Sequence, residues 1–84
     1  MITSGEVVTS VRGEDLLDRV ERLRHVLLTL TSRGTTLSVP LERAEVDGDR
    51  VRLWGTFTLD RVPVRCVADL SLRTGAGILT GEAA

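Results

Sequence analysis

The chain has 84 residues and a formal net charge of −1. That length makes one domain, predicted over residues 1–84, which buries only about 60–65% of the surface its unfolded chain exposes. Near-zero net charge gives no bulk pull toward nucleic acid or a membrane surface. A lone Cys66 excludes an internal disulfide and fits a reducing, cytoplasmic setting. No stretch approaches the roughly 18 consecutive apolar residues of a membrane span, so none is expected. The first residues, MITSGEVV, lack a basic region followed by an apolar run, so no signal peptide is predicted.

In chain order, residues 6–11 (EVVTSV) are β-branched and predicted as a strand. Gly13 breaks it. Residues 14–33 place Leu16, Val20, Leu23, Leu27 and Leu30 at spacings of three and four, which predicts one long helix. Asp15–Arg19 and Asp18–Arg22 would support it as i,i+4 pairs, and Gly34 would end it. From Thr35 the period changes to two. Strands are predicted over 35–46, 49–59 and 62–73, with a short one over 77–80 and a frayed GEAA ending. The expected fold is therefore α+β, in the order β-α-β-β-β with a short final strand, one long helix packing on one face of an antiparallel sheet. Cystatin-like folds and the dodecin-like flavin binders share that order of elements.

The stretch 51–59, VRLWGTFTL, holds an irregularity. Its odd positions are apolar or glycine, yet Trp54 stands among Arg52, Thr56 and Thr58 on the polar side. A two-residue turn at Asp60-Arg61 pairs Leu59 with Val62. Carried along the strands, it puts Phe57, Gly55, Leu53 and Val51 opposite Val64, Cys66, Ala68 and Leu70 on the core face. Trp54 then meets Val67 on the outer face, beside an Arg52–Asp69 pair. At Asp47-Gly48 a strict hairpin turn would pair Ala44 with Val51 and push Leu37, Val39 and Leu41 outward. A β-bulge near Glu42-Arg43 would return them to the core, and the sequence favours it.

Little chemistry is on offer. The only histidine, His25, falls opposite the core face of the predicted helix, away from Cys66, so no nucleophile–base pair is expected. Glu14, Asp15, Asp18 and Glu21 suit a helix start and solvent. Asp47-Gly48-Asp49 lacks the later ligands of a calcium loop, and Gly75-Ala76-Gly77 has no following helix to cradle a phosphate. No catalytic residue, metal site or cofactor is predicted.

The outer face carries the functional expectations. The leading one is a non-enzymatic interaction module that self-associates, most simply as a dimer, through Trp54, Val67, Arg52 and Arg65. Leu17 and Leu28 widen the helix's apolar arc and would assist. An alternative reads Arg50, Arg52, Arg65 and Arg73 around Trp54 as a single-stranded nucleic-acid surface, where phosphates meet arginines and a base stacks on the ring. Another is an apolar ligand or lipid held between helix and sheet or at a subunit interface. The 32-residue segment GDRVRLWGTFTLDRVPVRCVADLSLRTGAGIL resembles the C-terminal strands of the LmeA-like phospholipid-binding proteins of actinobacteria. The resemblance implies lipid binding and transfers no site residues. Those proteins are exported and much longer.

Overall fold

Period-two alternation extends further along the chain than the helical spacing suggests, and it sets the architecture. The computed structural model describes residues 2–83. Its elements are β1 (Ile2–Val8), α1 (Gly13–Asp18) continued by one π-helical turn (Arg19–Leu23), β2 (His25–Leu30), β3 (Thr35–Asp47), β4 (Arg50–Leu59), β5 (Val62–Ser71) and β6 (Ala76–Ala83). The six strands form a closed antiparallel barrel in sequence order, β6 returning to β1. The α+β expectation of one long helix over an open sheet is therefore overturned, and with it the likeness to cystatin-like and dodecin-like orders.

The physical reason lies in residues 25–30. His25, Leu27 and Thr29 alternate with Val26, Leu28 and Leu30, and only the second set is fully buried. In a helix Leu23, Leu27 and Leu30 would share a stripe. In the barrel Leu30 is buried, while Leu23 and Leu27 are 54% and 44% exposed. Helix propensity differs among these residues by only tenths of a kcal/mol, so strand pairing on both sides overrides it. Arg24, at φ 51°, ends the helical segment in the left-handed region. Gly34, expected as a helix stop, instead sits at φ 68° in the β2–β3 turn. Of the two expected helix pairs, Arg22 and Asp18 meet at 2.8 Å on the surface. The short helical segment lies across one mouth of the barrel. The Gly13 amide donates to the Leu72 carbonyl at 2.6 Å, and Leu16 and Val20 are buried in the core cluster.

The β4–β5 ladder has the expected register, ten pairs from Arg50↔Ser71 to Leu59↔Val62. Asp60 and Arg61 turn with φ 50° and 67°, the two left-handed residues that a tight hairpin requires. The β3–β4 hairpin turns one residue later than expected, at Gly48-Asp49, so Ala44 faces Leu53 rather than Val51. A register shift between Leu41 and Arg43 follows, and Leu37, Val39 and Leu41 point into the core. β6 is eight residues long instead of four. Its Leu79 and Gly81 face inward, and it pairs both β5 and β1.

Closure is uneven. β1 makes seven pairs with β6 but only two with β2, Val7↔Leu30 and Val8↔Thr29. The Thr31 amide donates to the Glu6 carbonyl at 3.1 Å. Alternation puts the backbone groups of Thr29, Leu27 and His25 on that same side, and beyond Thr29 no strand lies there. Residues 9–13 track the β5–β6 connection instead, through Thr9 N–H to Gly75 O at 2.8 Å and the Gly13 bond to Leu72.

Candidate functional site

Three cross-strand rows build the outer face of β4, β5 and β6. Thr56, Arg65 and Glu82 form one row, Trp54, Val67 and Thr80 the next, and Arg52, Asp69 and Ile78 the third. The backbone of Gly55, Cys66 and Gly81 runs between the first two rows. Two of those three residues lack a side chain, and the Cys66 thiol points inward. The result is a groove of about 470 Å³ walled by Trp54, Val67 and Thr80 on one side and by Arg65, Glu82 and Glu42 on the other. Close approach keeps Gly55 bare. A Cβ there would stand 2.5 Å from the Pro40 carbonyl oxygen and 2.8 Å from Val39 Cγ1.

The bulge completes the site from β3. It turns Glu42 toward Thr56, whose hydroxyl donates to Glu42 Oε1 at 2.9 Å. It also sets Arg43 opposite Trp54, with the guanidinium carbon 4.8 Å from the ring centroid. Arg43 is held on its other side by an ion pair with Glu45. Trp54 and Val67 are both half-buried. Thus the tryptophan read as facing water is covered in part by an arginine of its own chain.

Arg52 donates to Asp69 Oδ2 from Nε at 3.3 Å and from its terminal nitrogen at 3.1 Å, as expected, and Arg50 joins the same carboxylate at 3.6 Å. Among the described residues Arg65 enters no ion pair, and neither do Glu42 and Glu82. Arg73 lies beyond β5, where its amide donates to Asp49 Oδ1 at 3.0 Å, away from the Trp54 groove. Leu28 is fully buried in the core, so it is not available as an interface residue; β2 is a strand and turns it inward. Leu17 is half-buried and packs against the core.

The remaining polar candidates are accounted for locally. His25 Nε2 lies 2.5 Å from Ser38 Oγ on the outer face of β2 and β3. Cys66 is buried, and desolvation pushes its thiol above the ordinary range. Asp49 accepts from the Ser71 hydroxyl at 2.6 Å, which ties the β3–β4 turn to the end of β5. Among the described residues no group of three or more His, Cys, Asp or Glu is placed to hold a metal, and no helix is long and apolar enough to cross a membrane.

Sequence reasoning placed Trp54, Val67, Arg52 and Asp69 together. It missed Arg43, Glu42, Thr80 and Glu82 as neighbours. The bulge at Glu42-Arg43 was the available signal for the first two. The others depend on β6 running past Thr80, which no local pattern announces. No protein-family model matches the chain, and no curated protein matches it in sequence.

Proposed function

We propose that this chain is a non-enzymatic assembly module of the cytoplasm that self-associates, as a two-fold dimer, through the outer face of β4, β5 and β6. The observation that carries the reading is the groove itself, with half-buried Trp54 and Val67 on one wall and, on the other, Arg65, Glu42 and Glu82, which enter no ion pair among the described residues. A two-fold interface brings one patch against itself, so the patch must carry both signs of charge and an apolar centre. A standard interface of about 800 Å² per partner would cover roughly one seventh of the 5365 Å² surface. The lone buried thiol suits a reducing compartment.

Single-stranded nucleic acid is the weaker reading. Its arginines Arg50 and Arg52 are engaged by Asp69, and Arg73 is elsewhere. An apolar ligand is weaker too, because three charged side chains, Glu42, Arg65 and Glu82, line the groove.

Sedimentation equilibrium tests the proposal. The wild type should be dimeric at micromolar concentrations, and Trp54→Ala should be at least tenfold weaker, as expected for loss of a central aromatic worth about 2 kcal/mol or more. A wild type still monomeric at high micromolar concentration would overturn it.

A further inference from the structure

The Trp54 ring already holds a guanidinium, that of Arg43, and Arg43 is a poor permanent occupant. Its side chain is 65% exposed and also tethered to Glu45. An exposed cation–π contact of this kind is weak. Among the described residues, the neighbouring wall carries two carboxylates with no cation of their own, Glu42 and Glu82, and one arginine with no carboxylate, Arg65. Arg65 and Glu82 stand directly opposite each other in the β5–β6 ladder, yet they form no ion pair. A planar guanidinium suits this groove, since it can stack on an indole while its edge donates to carboxylates.

Resting on the self-association reading, we propose that the groove is a reciprocal arginine seat. Arg65 of each copy enters the groove of the other, stacks on Trp54 in place of Arg43, and donates to Glu42 and Glu82. Arg43 is then a tethered competitor that must leave the ring for the dimer to form. This gives it an effect opposite to that of an interface contact.

Sedimentation equilibrium on four chains separates the possibilities. Arg65→Glu should dissociate the dimer at concentrations where the wild type is fully associated. Glu42→Arg combined with Glu82→Arg should do the same. An equimolar mixture of these two variants should recover a heterodimer, because each groove then meets the charge it lacks. Arg43→Ala should tighten association about five- to thirtyfold, because each dimer displaces two such contacts, each worth about 0.5–1 kcal/mol. All four positions are exposed, and circular dichroism confirms that each variant keeps the wild-type strand signal. A mixture that stays monomeric overturns the reciprocal seat. An Arg43→Ala chain that associates as weakly as the wild type, or more weakly, overturns the displacement of Arg43. A wild-type dimer indifferent to Arg65→Glu removes this inference and leaves self-association standing, whereas a monomeric wild type removes the self-association reading itself.

Discussion

The β4–β5 ladder and the β1–β2 seam are neighbours in the same closed sheet but differ in construction. The ladder pairs ten residues with ten across a two-residue turn. The seam pairs two with two, across a connection that contains the whole helical segment. Hairpin pairing needs little loop closure, so it is entropically inexpensive. The seam joins segments more than twenty residues apart and holds by core packing more than by backbone bonds. Closing a barrel removes strand edges. Here an edge survives over His25–Leu28, covered by no strand among the described residues. The fully paired half of the barrel presents the groove, while the less paired half carries the helical segment.

The largest expected effect breaks the strong half. Leu53 is buried to within 1% in the middle of β4. Leu53→Ala should lower unfolding stability by about 2–5 kcal/mol in denaturant titration, the usual range for a buried leucine. Leu27→Ala, on the seam strand but facing outward, should change it by no more than about 0.5 kcal/mol. Equal effects would mean that Leu27 is covered, against its outward placement on β2.

Native-state hydrogen exchange sharpens the contrast without mutation. The amides of His25 and Leu27 face the open side of β2, so they should exchange on the order of 10³-fold or more faster than the paired amides of β4 and β5. Slow exchange at Leu27 would mean that the seam is closed by a partner.

The smallest effect concerns the clasp that joins the β3–β4 turn to β5. The Ser71 hydroxyl, bonded to the ionised carboxylate, holds Asp49 below its ordinary range, helped by the Arg73 amide and the Arg73 and Arg50 charges. A folded-state pKa below the unfolded one contributes stability above the unfolded value of about 3.9, and that contribution is lost as pH falls through the folded pKa. Wild-type stability should therefore decline on acidification below about pH 4 more steeply than that of Asp49→Asn. Parallel pH profiles for the two proteins would remove Asp49 from the clasp.

Legibility followed sequence distance. The Trp54–Val67 meeting, the Arg52–Asp69 pair and the inward Cys66 were readable because one turn fixes the whole β4–β5 register. The bulge at Glu42 was readable from the conflict it resolves, since Leu37, Val39 and Leu41 cannot all face water. Leu28 and Leu27 were misread because spacings of three and four occur by chance in a strand flanked by a short helix. In HVLLTL the leucine at 30 fits either period, on the helical stripe and on the buried face of the strand.

By itself the sequence determined the alternation of β3, β4 and β5, the β4–β5 turn, and the outward placement of Trp54. Each of these depends on residues within a dozen positions of one another. Tertiary structure alone decided that residues 25–30 form a strand, that β6 extends to close the barrel on β1, and that Arg43 stands over Trp54. In each case the local preference is worth tenths of a kcal/mol. Burying Val26, Leu28 and Leu79 between paired neighbours is worth ~1.5–3 kcal/mol per side chain. The larger quantity depends on residues that become neighbours only once the barrel has closed.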